Sequence, residues 1–143
     1  MEHVNDDQET LREANNGFYR ALEALDLAAL EALWLHEGWV RCVHPGWDVL
    51  VGWDAVKESY EEIVAGTRWM RVTPTAVDMV LFGDIGMVAC TENITSASEG
   101  DVGLAVAQAT NLFKKTEAGW RLFHHHASPA PVYVTQPFSG TIQ

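Results

Sequence analysis

The run Trp120-Arg-Leu-Phe-His-His-His-Ala-Ser128 decides how this chain is read, because it closes a series of strand-like segments and carries half of the histidines. It follows the turn Glu117-Ala-Gly119 and reads as a strand whose side chains alternate between two faces. On strict alternation His124 and His126 share a face with Trp120 and Leu122, while His125 goes with Arg121 and Phe123. Whichever face looks inward, at least one histidine meets the interior. A second stretch, Val43-His-Pro-Gly-Trp47, adds His44 at the end of an earlier strand, where Pro45-Gly46 breaks the chain. Four of the six histidines therefore sit in two short segments beside tryptophan.

Working outward from the closing strand, Trp69–Phe82, Gly86–Thr95, Gly103–Lys115 and Trp120–His126 form four strand-like runs. Gly83-Asp84, Ser98-Glu-Gly-Asp101 and Glu117-Ala-Gly119 punctuate them as hairpin turns, which predicts an antiparallel meander. Pro74 makes the first run an edge strand or a bent one. The first third is helical. Leu11, Ala14, Phe18, Ala21, Leu22 and Leu25 recur at spacings of three and four between Asp6 and Leu25. Asp26 is the expected N-cap of a second helix, Leu27 to about Leu35, and Gly52 with Asp54 opens a third, Ala55 to about Ala65. Between them Trp39–His44 reads as a strand with Val40, Cys42 and His44 on one face.

Helices first and then a curled antiparallel sheet is an α+β layout. The expected fold is a cone-shaped, strongly curved antiparallel sheet packed against three N-terminal helices, enclosing a pocket. At 143 residues the chain is one domain, 1–143, with 129–143 as a proline-containing extended tail. A net charge of -11 excludes nucleic acid and anionic membrane surfaces as expected partners. No apolar run is long enough to span a membrane, and the acidic N-terminus lacks a signal-peptide layout, so a cytoplasmic protein is expected. Cys42 and Cys90 lie in apolar runs and read as buried, reduced thiols.

The order helix–helix–strand, His-Pro-Gly, helix, then long hairpins ending in Trp-Arg-x-x-His-His-His-x-Ser resembles the nuclear-transport-factor-2-like superfamily. More narrowly it is similar to the SnoaL-like and ketosteroid-isomerase-like branch, over roughly residues 8 to 128. In the steroid isomerases an Asp-Pro pair at about the place of His44-Pro45 supplies the base; the resemblance implies that here an imidazole would do so. It also implies that Tyr19, on the first helix, corresponds to their phenolic oxyanion donor. Their second donor, a protonated aspartate, has no counterpart by motif, and Gln108 or Asn111 could substitute only as a neutral amide.

His44, His124 and His126 are accordingly the candidate catalytic residues, with Tyr19, Trp34, Trp47, Trp53 and Asn111 as candidate ligand contacts. For each a structural reading stands beside the functional one. The histidines can be strand-end hydrogen-bonding groups, and the tryptophans can be plain core. Asp48, Glu92 and Asn93 are within reach of the cavity, but nothing in the spacing selects them. Without H-E-x-x-H or C-x-x-C, no metal is expected, nor any organic cofactor. The expected partners are a small apolar or aromatic molecule and a second copy of the chain, docked through the outer face of the sheet at residues such as Val106.

Two functions follow. In one, the protein is a cofactor-independent isomerase, cyclase or dehydratase acting on an apolar carbonyl compound by histidine-mediated proton transfer. In the other, it is a non-catalytic ligand-binding or dimeric assembly module.

Overall fold

A computed structural model describes residues 2–132, with side chains from residue 6 onward. Three helices, α1 (Glu2–Glu23), α2 (Leu27–Leu33) and α3 (Trp53–Gly66), pack on a six-stranded sheet. The strands are β1 (Arg41–Val43), β2 (Leu50–Val51), β3 (Trp69–Phe82), β4 (Ile85–Ser98), β5 (Asp101–Thr116) and β6 (Gly119–Ala130), in spatial order β2-β1-β6-β5-β4-β3. The four long strands form the antiparallel meander that their turns dictate. β1 joins it in parallel to β6, pairing Arg41 with His124, Cys42 with His125 and Val43 with His126. The sheet is open and mostly antiparallel, and this is the α+β cone expected from the sequence. Among the described residues no helix is long and apolar enough to cross a membrane.

The link between α1 and α2 shows how local sequence sets this geometry. Asp26 N–H donates to Ala21 O at 3.1 Å and Leu25 N–H to Leu22 O at 3.0 Å, a Schellman closure with Leu25 at φ 53°. The Asp26 carboxylate then accepts from Ala29 N–H at 3.1 Å and caps α2. One residue therefore ends the first helix with its backbone and starts the second with its side chain.

On α1 the inward stripe is Leu11, Asn15, Phe18 and Tyr19, so two polar groups interrupt an otherwise apolar face. They meet the concave side of the sheet, where Val88, Cys90 and Glu92 of β4 face Ala107, Ala109, Asn111 and Phe113 of β5. Paired residues of neighbouring antiparallel strands share a face, so this register fixes what points inward.

Two features of β6 differ from the sequence reading. β6 continues through Pro129, opposite Ala107, to Ala130, opposite Val106, so the expected tail begins inside the strand. Its remainder from residue 133 lies outside the described residues. The β5–β6 register also slips: Leu112 pairs with His124 but Phe113 with Leu122, which leaves Phe123 as an extra residue in β6. This bulge reverses the alternation beyond it. Trp120, Leu122, His125 and Ala127 are all buried on the inner face, whereas His126 is exposed and His124 half-buried on the outer one.

Candidate functional site

The inner face of the cone carries a compact polar cluster built from Asn15 and Tyr19 on α1, Glu92 on β4, Asn111 on β5 and His125 on β6. His44 and Ser59 adjoin it. Glu92 and His125 are each 3% exposed, and His44 is 6% exposed. Buried polar groups must satisfy one another, and here the hydrogen bonds fix nearly every proton.

Asn111 is the hub. Its Nδ2 donates to Asn15 Oδ1 at 2.9 Å and to Tyr19 Oη at 3.0 Å, which uses both amide hydrogens. Its Oδ1 must then accept from His125 Nδ1, at 2.6 Å, so His125 carries its proton on Nδ1. The bare Nε2 faces Glu92 Oε2 at 3.9 Å. Tyr19 Oη donates to the same Glu92 oxygen at 2.6 Å and lies 3.3 Å from Cys90 Sγ.

His44 is oriented by the same logic. Ser59 has one hydroxyl proton, and it goes to Val56 O at 2.6 Å. At His44 the serine oxygen must therefore accept, from Nε2–H at 2.8 Å, which leaves the His44 Nδ1 lone pair as an acceptor facing the Cys42 thiol, with Sγ 3.8 Å away. The His-Pro-Gly-Trp motif then folds over this ring. Trp47 N–H donates to His44 O at 2.9 Å and Gly46 has φ 85°, closing a tight turn that only glycine enters freely. The turn brings Trp47 edge-on to His44 with ring centroids 4.9 Å apart. Tyr60 stands 5.1 Å away and His125 6.3 Å away.

Burial sets the charges. It pushes the Glu92 carboxyl up to about 7, against a smaller opposing effect of the Tyr19 hydrogen bond. It drives His44 down to about 4, and His125 down to about 3 with help from neighbouring His44. The Tyr19 phenol is raised by burial and then by the Glu92 charge, and Cys42 is pushed up to about 12 by burial. At neutral pH both inner histidines are neutral, so the 3.9 Å approach of His125 to Glu92 is not an ion pair. Glu92 is the group whose proton is in balance there.

Of the residues singled out from sequence, Tyr19, His44 and Asn111 come together in this cluster. Trp34 is buried, with its ring 6.2 Å from Trp53 and from Tyr60. Trp53 stacks on His36 at 4.5 Å, and Trp47 stays 39% exposed at the rim. His124 and His126 sit apart, their rings 6.3 Å from each other on the outer face. The strict alternation that paired them with Trp120 and Leu122 is corrected by the bulge at Phe123, which gives that place to His125. Glu92, which the sequence reading did not select, takes an inward position in the run Val88-x-Cys90-x-Glu92, and a carboxylate on that otherwise apolar face is the signal that points to it.

Three buried donors near the cluster have no hydrogen-bond partner among the described residues: Asn15 Nδ2, Trp34 Nε1 and Tyr60 Oη. The surface hollows lie elsewhere. A groove of about 570 Å³ runs along α1, and a cleft of about 20 Å³ lies beside Tyr60 and Trp53. These two and three further hollows are bordered by other residues than His44, Glu92 and His125.

Comparison with known proteins places this geometry in a family. No match was found among curated proteins. A solved structure from Streptomyces avermitilis, provisionally described as a dehydratase of the nuclear-transport-factor-2-like family, is 40% identical over 90% of this chain and 99% of its own, with TM-score 0.85. One from Thiobacillus denitrificans, provisionally described as a calcium/calmodulin-dependent protein kinase type II association domain, is 28% identical over 82% and 93%, with TM-score 0.72. A ketosteroid isomerase-like protein from Erwinia carotovora atroseptica, 22% identical over 89% and 99% with TM-score 0.75, shares the fold. The family profile described as SnoaL-like domain matches residues 11–133. The chain belongs to the SnoaL-like domain family of the nuclear-transport-factor-2-like superfamily.

Proposed function

We propose that the protein is a cofactor-independent proton-transfer enzyme acting on a small apolar or aromatic carbonyl compound, by dehydration or isomerisation inside the cone. The observation that carries this reading is the Glu92 carboxyl, held at 2.6 Å from Tyr19 and pushed up to about 7 beside a neutral His125. A group poised near neutral pH is the best-matched acid or base. Glu92 is therefore the principal proton donor, and it takes the place of the second oxyanion donor that the sequence lacked by motif.

His44 Nδ1 is the base. It removes a proton from the carbon beside the carbonyl, and the C–H pair becomes the new double bond. In a β-hydroxy ketone the C–O bond then breaks as Glu92 protonates the departing oxygen, and water leaves. The proton gained by His44 matches the one lost by Glu92, and exchange with water restores both groups. The unpartnered donors Trp34 Nε1, Tyr60 Oη and Asn15 Nδ2 suit a ligand's carbonyl oxygen. The dehydratase description of the Streptomyces avermitilis relative supports the reaction class.

The test uses 4-hydroxy-4-phenylbutan-2-one as probe, following enone absorbance and, in D2O, deuterium uptake beside the carbonyl. Turnover that falls on the order of 10²-fold in both Glu92→Gln and His44→Gln supports the reading. Absence of turnover and exchange on this and related aryl ketones rejects it.

A second reading, a binding or assembly module, is favoured by one observation: the five hollows described above all lie away from the cluster. The association-domain description of the Thiobacillus denitrificans relative points the same way. Under either reading the protein forms a homodimer through the outer sheet face, where Val102 and Leu104 are 72% and 68% exposed beside Val106.

A further inference from the structure

The groove along α1 has a chemistry of its own. It runs from Asp6 past Thr10 and Ala14 to Arg20, with the β5–β6 turn and Leu33 as its other wall, and encloses about 570 Å³. A second hollow of about 310 Å³, floored by Ala29 and Ala32, shares Gly17, Leu33 and Arg121 with it. Small side chains leave this end open and apolar.

The charges are unevenly matched. Each of the three lysines has a carboxylate partner, Lys57 with Glu31, Lys114 with Asp84 and Lys115 with Asp7. Among the described residues none of the arginines has one, Arg20 and Arg121 included, although the chain carries 20 acidic residues against 9 basic ones. Arg121 Nη1 donates to Trp120 O at 3.0 Å, which leaves its other donors unused. Arg20 lies back over the floor, its Nη2 3.7 Å from the position a Cβ would take at Gly17. Of the acidic lining residues, Asp6 and Glu13 lie towards the start of α1, Asp7 is held by Lys115, and Glu117 is in the β5–β6 turn two residues before Gly119. At 1.5 Å per helical residue, Asp6 is about 21 Å from Arg20 along the axis and Glu13 about 10 Å.

We propose that the Arg20–Arg121 end of this groove binds a small carboxylate carried on a short apolar chain. The planar guanidiniums take the carboxylate by paired hydrogen bonds. The chain lies over Ala29, Ala32 and Leu33, and the acidic far end repels the head and so sets the direction of binding.

The probe is octanoate, with octan-1-ol and inorganic phosphate as comparisons, followed by two-dimensional amide NMR of the full chain. Octanoate is expected to shift the amides of Gly17, Ala29, Ala32 and Gly119 with a Kd near millimolar, as its small size allows. Arg20→Gln with Arg121→Gln should weaken it by about tenfold or more, while Arg68→Gln, on a different hollow, should not. Both arginines are at the surface, and the spectrum itself reports that the double variant is folded. Absence of these shifts at tens of millimolar octanoate, or equal shifts in the double variant, would overturn the site. Octan-1-ol or phosphate acting as strongly as octanoate would overturn the requirement for a charged head or an apolar chain.

Discussion

The Tyr19 hydroxyl donates to Glu92 Oε2 across 2.6 Å, joining the first helix to the fourth strand through a carboxyl that burial pushes up to about 7. A carboxyl whose folded pKa exceeds its unfolded value holds its proton more tightly when folded. Its contribution to stability is full below the unfolded value of 4.5 and is lost as pH rises through 7. Glu92→Gln removes this dependence. Between pH 4 and pH 8 the stability of the variant should gain on the parent by about 3 kcal/mol. Urea unfolding across that range measures it, and a pH-independent difference would show that Glu92 titrates normally.

His44 works in the opposite sense. Its folded pKa of about 4 lies below the ordinary 6.5, so its stabilising contribution is present above 6.5 and is lost as pH falls towards 4. His44→Gln should make acid unfolding shallower by about 3 kcal/mol over that window, while losing at neutral pH about 1 kcal/mol for the Ser59 hydrogen bond. The imidazole resonances give a second readout, since the His44 ring should stay neutral by NMR down to about pH 4.

How much of this was legible in the sequence can be judged from three positions. The meander was written in its turns, and the inward set Val40, Cys42 and His44 followed from period-two alternation, because nothing interrupts β1. His125 was misplaced because one extra residue, Phe123, shifts the phase of β6, and a bulge leaves no mark in the run of four aromatic and imidazole side chains from Phe123 to His126. Glu92 lay in view without being selected, since its importance comes from Tyr19, more than seventy positions away. Pairings between distant elements are tertiary facts, and a polar residue on an apolar face is their only trace in one dimension.

Gly46 holds Trp47 against His44 through a backbone conformation rather than by close packing, for nothing lies within 4 Å of its would-be Cβ. Gly46→Ala should therefore destabilise by about 1–2 kcal/mol from strain at φ 85° alone. Because the turn carries a half-exposed indole, tryptophan fluorescence should report the loosening. An unchanged melting curve would mean that the turn is not held in this form.

Leu25 offers the converse experiment. It closes α1 at φ 53°, where a side chain is strained and glycine is not. Leu25→Gly should stabilise by up to about 1 kcal/mol, offset in part by the lost burial of a half-buried leucine and the greater freedom of the unfolded chain. Thermal melts separate these effects: a rise in Tm supports strain at the cap, and a fall shows that packing dominates.

The outer sheet face brings Val106 into register with Asn93 on one side and Ala130 on the other, with Leu104 and Val102 continuing the apolar strip towards the hairpin tip. A monomer would leave these large side chains in water, whereas a second copy related by a two-fold axis would cover them. Val106→Asp places a charge at the inner end of that strip without touching the inner cluster, because its neighbour Ala107 is the residue that faces inward. The unpaired charge would have to be desolvated in a dimer, at a cost of several kcal/mol across the two symmetry-related copies. Light scattering should therefore find a dimer in the parent and a monomer in the variant, with circular dichroism unchanged. A variant that remains dimeric would move the interface off this face.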